Sequence, residues 1–218
     1  MIAKRERVVI IGAGGHGRVC AEIAASQGLD VTGFVDSGNL SATINGVPVV
    51  ARDIFELSSH TPPKTVSVFV AIGNNITRSK VCAEVASLGY QMPILCHPHS
   101  WVSPTVTIGA GTVLMPGVVV NANTRISTSC ILNTCCSIDH DNILESAVQI
   151  CPGVRSAGNV CFEKLAFVGT GAVLIPSVRV GAGAVVGAGS VVVRDVQAET
   201  RVAGNPAKKM TVQASKDT

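Results

Sequence analysis

His140 is followed directly by Asp141 in the run Ser137-Ile-Asp-His-Asp-Asn142. An imidazole ordinarily titrates near pH 6.5, so it can take a proton at neutral pH. An adjacent carboxylate can orient it and stabilise its cation through a charge-assisted hydrogen bond. Eighteen residues on stands Gly158, where a missing side chain would allow a backbone N–H close to a developing oxyanion. A second constellation lies near the N-terminus. Gly12-x-Gly14-x-x-Gly17 has the spacing of a dinucleotide fingerprint, with Asp36 about 20 residues on. Taken alone it predicts NAD. Two features argue against that. The segment is too short for both mononucleotide halves, and no separate hydride-transfer domain follows. A glycine turn at a helix N-terminus suits any pyrophosphate, and His16 within it is a candidate donor.

These residues fall in two regions with different periods. In the first, Arg7–Ile11 reads as a buried parallel strand and 18–27 as a helix ending at Gly28. Val31–Val35 reads as a strand ending at Asp36, and Thr65–Ile72 as another ending at Gly73. Asn75–Leu88 reads as a helix stopped at Gly89, and Ile94–Cys96 as a short last strand. This is a small Rossmann-like α/β domain, residues 1–95.

The second region obeys a six-residue rule. Every sixth residue from Val102 to Val192 makes a column of sixteen, of which fifteen are large and apolar and only Ser156 breaks the series. Neither an α-helix nor a simple strand repeats at that interval. A second column, four residues after the first, is small or Val throughout except Asn142. It is expected to hold sharp corners that take small or positive-φ residues. Gly also recurs just after the apolar position, at Gly109, Gly169, Gly181 and Gly187. Six-residue periodicity predicts a parallel β-helix of triangular coils, three hexads per coil and a little over five coils in all, over residues 96–212. Residues 213–218 are expected to be a disordered tail. Cys130 and Cys136 sit in the small-residue column and read as packing residues.

Composition agrees. Aromatic residues are 3% of the chain and charged residues 14%, so a core must be filled by aliphatic side chains, as repetitive β structure does. A net charge of +3 is too weak to argue for nucleic acid. The eight cysteines form no CxxC pair. The basic, then apolar, start reads as a strand running into a glycine turn, not as a secretory signal. Free thiols in a reducing cytoplasm are expected. Residues 85–124 carry no Asp, Glu, Lys or Arg, but Pro93, Pro98, Pro104 and Pro116 interrupt them, so no spanning helix is expected.

The whole chain resembles the NeuD/PglD-type sugar acetyltransferases. The matching pieces are VVIIGAGGHG at the start, GFVDS, AIGNNITR, HPHSWVSP, LNTCCSIDHDN, the PGV at 152–154 and the closing AGNPAK. The resemblance implies a left-handed parallel β-helix behind a nucleotide-sugar domain. It implies a homotrimer with acetyl-CoA, the expected co-substrate, in the groove between neighbouring helices, and no metal. It makes His140 the general base, with Asp141 beside it and Asn133 holding the acetyl group or the sugar. Gln149 stands where relatives often have a second histidine; it can hydrogen-bond but not titrate. Gln149, Gly158, Thr170, Ala188 and Lys208 are the implied cofactor-binding set. Gly14, Gly15, His16, Asp36, Gly73, Asn74 and Arg78 are the implied substrate-binding set. The expected reaction is N-acetylation of a nucleotide-linked 4-amino-4,6-dideoxy sugar, with UDP the expected carrier, in bacterial glycan or surface polysaccharide synthesis. The rival reading is O-acetylation of a sialic-acid-like sugar. An oxidoreductase rests only on the glycine fingerprint. A non-catalytic β-helix would show flat Thr ladders and no His-Asp pair.

Overall fold

A computed structural model describes residues 5–38 and 43–210. The expected tail at 213–218 lies outside the described residues. The N-terminal domain is a five-stranded sheet of β1 (Arg7–Ile11), β2 (Asp30–Val35), β3 (Thr43–Ile44), β4 (Val47–Ala51) and β5 (Ser67–Val70). Its strand order is β3-β4-β2-β1-β5, parallel except for the β3–β4 hairpin. Helices α1 (Gly15–Ser26), α2 (Ile54–His60) and α3 (Asn75–Ser87) connect the strands. The apolar runs of β1 and β5 are buried because a parallel sheet is covered on both faces.

Residues 43–60 carry β3, β4 and α2, which the apolar patterning did not predict. Their signals are local. Asn45-Gly46 turns the hairpin, both residues at positive φ. Asp53 caps α2 by accepting from the Glu56 N–H at 2.8 Å, while Glu56 accepts from the Arg52 N–H at 2.7 Å.

From Leu95 to Val192 two-residue strands recur every six residues and stack into three flat parallel sheets, a left-handed β-helix; Arg201–Ala203 and the antiparallel Lys208–Lys209 then close one of them. Face I runs from Trp101–Val102 to Val191–Val192, face II from Thr107–Ile108 to Arg179–Val180, and face III from Leu95–Cys96 to Lys208–Lys209. Up to Val192 each strand pairs with an equivalent 18 residues away, as Val120 does with Ile138 and Val102. The inward column is buried from Leu114 to Val192.

Two sequence expectations are corrected. The short strand at 94–96 does not close the first domain. Leu95–Cys96 pairs with Val113–Leu114 and starts the β-helix. The small-residue column is buried but is not where the chain turns left-handed. Positive φ falls one residue earlier, at Asn123, Ser129, Cys135, Asp141 and Ala147 among others. The buried column is small because it fills the inside of the corner. The Gly just after the apolar position has a different cause. A Cβ at Gly109, Gly169 or Gly181 would meet the backbone of the next coil at 2.5–2.6 Å.

The two domains meet along one edge of the prism, between faces II and III. Arg78 of α3 is 1% exposed. Its guanidinium donates to the carbonyls of Ser129 and Ala147 on two successive coils, to those of Ile72 and Gly73, and to Asn75 Oδ1, all at 2.8–3.2 Å. Asn75 Nδ2 donates to Leu165 O and Ala166 O on the coil after that. The five N–H donors of Arg78 are therefore all used within the protein.

Candidate active site

His140 lies on the edge between faces I and II, its side chain 59% exposed. Its Nδ1 is 2.8 Å from Asp141 Oδ2. That leaves Nε2 facing outward as the free ring nitrogen. The hydrogen bond to Asp141, then the charges of Asp139 and Asp141, hold the imidazole pKa above its usual value. Both carboxylates are lowered in turn, Asp141 by its bond to His140 and then Asn123, Asp139 by Asn121 and then the His140 N–H.

Each carboxylate is anchored from the coil before. Asn121 Nδ2 donates to Asp139 Oδ1 at 2.9 Å, and Asn123 Nδ2 to Asp141 Oδ1 at 3.2 Å. Asp139 Oδ1 also accepts the His140 N–H at 2.9 Å. Sequence reasoning missed Asn121 and Asn123. Their signal is their position, 18 residues before the two aspartates.

Gly158 sits one coil beyond His140 in the same edge column. A Cβ there would come within 2.5 Å of His140 Cε1. The ring therefore lies over the glycine, which explains why this position has no side chain. The Gly158 N–H has no acceptor among the described residues, so it is free to donate outward beside the imidazole.

Asn133, expected beside the base, and the remaining cofactor set stand elsewhere on the prism. Asn133 and Gln149 are on face III. Asn133 Oδ1 accepts from the Thr134 N–H at 2.8 Å. Gln149 Oε1 is buried with no donor among the described residues. Exposed Thr170 and Ala188 stack one coil apart on the edge between faces III and I. Lys208, also exposed, ends face III. One chain does not bring this group together with His140.

In the N-terminal domain the glycine fingerprint divides its work. Gly12, at φ +101°, makes the tight turn after β1. Gly17 packs α1 onto that turn, since a Cβ there would meet Gly12 O at 1.9 Å. Gly14 and Gly15 are exposed with open space above them, so a ligand can reach their backbone. Asp36 holds the loop, its Oδ2 accepting from the Ala13 N–H at 2.9 Å and Oδ1 from Gly38 at 3.0 Å. Burial, then the nearby Arg78 charge, push the His16 pKa down to about 4. His16 is therefore neutral at pH 7 and has one ring N–H to donate.

These turns flank the point where chain order reverses between β1 and β5, outside the carboxyl ends of the strands, where open α/β sheets bind ligands. A cavity of about 270 Å³ beside them is lined by Gly12, Asp36, Arg52, Asp53 and Phe55 among others. Phe55 is 56% exposed, an aromatic surface that sequence patterning missed together with α2. Gly73 and exposed Asn74, which caps α3 through Thr77 N, line a second groove against Leu165, Phe167 and Arg201. Arg78 is corrected. Buried, with every donor taken, it binds the two domains together and has none left for a substrate.

A left-handed β-helix with an exposed His-Asp pair on one edge, behind a Rossmann-like domain, defines a hexapeptide-repeat acyltransferase. The comparisons place it further. Residues 7–85 match the PglD N-terminal domain family. A GDP-perosamine N-acetyltransferase from Escherichia coli is 32% identical over 213 residues, 92% of this chain and 95% of that protein. The acetyltransferase domain of PglB from Neisseria gonorrhoeae FA1090, in complex with acetyl coenzyme A, superposes with a TM-score of 0.90 at 38% identity, over 95% of this chain and 100% of that one. PerB from Caulobacter crescentus, in complex with CoA and GDP-perosamine, gives 0.88 at 38% identity, over 94% and 97%. The chain belongs to the NeuD/PglD-type sugar acetyltransferase family. It is an acetyltransferase. Among the described residues no helix is long and apolar enough to cross a membrane.

Proposed function

We propose that the protein N-acetylates the 4-amino group of a nucleotide-linked 4-amino-4,6-dideoxy sugar, with His140 as general base. The carrying observation is the pairing of His140 Nδ1 with Asp141, which leaves Nε2 free above Gly158. Nε2 takes the proton that the sugar amine loses as it attacks the thioester carbonyl carbon; the tetrahedral intermediate then collapses, the C–S bond breaks, and coenzyme A leaves as the thiol on taking that proton back from the imidazolium. The imidazolium so formed is stabilised by Asp141. The free Gly158 N–H meets the thioester oxygen as charge builds on it. Asp139 and Asp141, anchored by Asn121 and Asn123, hold the imidazole in place before the substrate arrives.

GDP is the proposed carrier, in place of the UDP expected from the resemblance alone. The Escherichia coli relative is named for GDP-perosamine, and the Caulobacter structure holds it. The exposed Gly14-Gly15 turn receives the pyrophosphate and His16 donates to it. Phe55 offers a face for the base, and Gly73 and Asn74 orient the sugar.

The working unit is proposed to be a homotrimer. Face I exposes apolar residues at both ends, Trp101 at one and Val173, Ile175 and Val193 toward the other, 61%, 41%, 40% and 36% accessible. A neighbouring copy seated on face I would cover them. It would also bring its own Asn133, Gln149, Thr170 and Ala188 toward His140, with exposed Lys208 open to the phosphates of acetyl-CoA. The eight free cysteines suit a reducing cytoplasm.

The test is thiol release from acetyl-CoA with GDP-, UDP- and dTDP-linked 4-amino sugars and free sialic acid, run beside His140→Ala. Turnover of a GDP-linked amino sugar that falls by orders of magnitude in the variant is expected. Turnover on sialic acid alone would replace this reading with O-acetylation.

A further inference from the structure

Asn142 and Ser156 are the single exceptions to the two columns that build the β-helix. They are 14 residues apart and on different coils, yet they meet. Ser156 Oγ donates to Asn142 Oδ1 at 3.0 Å inside the prism. Asn142 is fully buried and Ser156 is 4% exposed. The strand neighbours of Ser156 are Ile138 and Leu174, both buried.

A buried amide costs stability unless its donors and acceptor are all paired. Asn142 is paired throughout. Its Nδ2 reaches Asp139 O at 2.7 Å, His140 O at 3.2 Å and Ala157 O at 2.9 Å. Thr124 Oγ1 adds a second donor to Asp139 O at 2.9 Å. One side chain thus ties together the carbonyls of His140 and of the residue before it. It also ties both to the carbonyl just before Gly158, on which the imidazole rests. Thr112 and Thr124 fill two other corners, and each donates its Oγ1 to a single carbonyl fifteen residues on, Ser127 O at 3.0 Å and Asp139 O at 2.9 Å. Most of the rest are filled by Cys130, Cys136, Val148, Val154, Ala166 and their like, all buried, and only Asn142 brings an amide that gathers three carbonyls. Closing a corner therefore does not require an amide.

We propose that Asn142 and Ser156 are positioning residues for His140. They lock the turn that carries the base to the turn that carries Gly158, so that ring and backbone N–H keep one spacing. The pair replaces an apolar contact with a polar one at the corner that bears the catalytic base. This inference rests on the reading of His140 as base and extends it to two residues that touch no substrate.

The test is the double variant N142A/S156V, which puts into each column a residue type that the column already uses. Its volume is nearly conserved, so the coil is expected to persist, at a lower Tm because Ala157 O loses the donors that Asn142 and Ser156 supply. Turnover of GDP-perosamine is expected to fall about 10- to 100-fold in kcat, the scale of a base displaced by about an ångström. KM for acetyl-CoA is expected to change less than about threefold, since neither residue reaches the groove. In histidine-labelled protein, the His140 imidazole signal, assigned with His140→Ala, is expected to move toward that of a free histidine side chain. Full kcat with an unmoved His140 signal would overturn the proposal. Should the double variant not fold, Ser156→Ala keeps the question open to refutation. It is expected to lower kcat a few-fold, on the order of the effect of one supporting hydrogen bond, and full activity there would count equally against the pair. His140→Ala separates the two readings. An active His140→Ala removes the base and the positioning role together, whereas an inactive His140→Ala beside a fully active N142A/S156V removes only the latter.

Discussion

His140 and Gly158 stand one coil apart, and the imidazole of the first lies over the α-carbon of the second. A methyl group on Gly158 would come within 2.5 Å of Cε1 and 2.7 Å of Nε2. The proposed base is thus seated on backbone, next to the Gly158 N–H proposed to receive the oxyanion.

Gly158→Ala should leave the fold intact, because its φ is not in the left-handed region and its neighbour is a side chain that can swing away. Swinging away is the damage. The ring and the oxyanion donor can no longer share their spacing, and kcat should fall about 100-fold. Steady-state kinetics beside a thermal melt checks this. Normal kcat with an unchanged melt would show that the ring does not work from this seat.

Asp141→Asn should move the pH profile. The base acts when neutral, so activity is lost as pH falls through the pKa of His140. In the wild type that pKa is raised, first by the bond to Asp141. Removing the carboxylate lowers it, so the acid limb of kcat/KM should shift to lower pH. The plateau should drop by about tenfold or more, because the imidazolium loses its stabilising partner. A limb that stays in place would mean another group sets it.

Arg78→Met removes five hydrogen bonds, of which the two buried ones join α3 to two successive coils of the β-helix. Hydrogen bonds from a charged donor contribute about 1.5–3 kcal/mol each and do not sum. A loss of roughly 3 kcal/mol or more in unfolding free energy is expected, with the two domains unfolding in separate steps. Arg78→Lys should rescue little, since one ammonium cannot serve carbonyls on different coils. Denaturant melts followed by tryptophan fluorescence and circular dichroism report both effects.

Gly17→Ala should break the first domain locally. Its Cβ would stand 1.9 Å from Gly12 O, a backbone atom that cannot step aside. Overpacking of this kind costs about 1–3 kcal/mol. Affinity for the nucleotide sugar, read by calorimetry, should fall together with stability, while binding of acetyl-CoA to the β-helix should be spared. Equal loss of both would mean that the two sites are not carried on separate domains.

Periodicity alone determined the β-helix. A hexad of one large inward residue and one small corner residue has few other solutions, and every inward position from Leu114 to Val192 is buried as that rule requires. The glycine spacing at 12–17 likewise determined a strand-turn-helix, since Gly12 and Gly17 meet backbone that tolerates no side chain. His140 and Asp141 were legible because they are adjacent in the chain and contact each other there.

Only the tertiary structure decided the rest, because coil stacking joins residues 14 to 18 apart that no local pattern relates. It put Asn121 and Asn123 on the two aspartates, and it made partners of Asn142 and Ser156, which the sequence marks only as two unrelated exceptions. It also turned Arg78 from a substrate candidate into the bolt between domains. A guanidinium's role depends on which carbonyls surround it, and those of Ser129 and Ala147 lie 51 and 69 residues away in the chain.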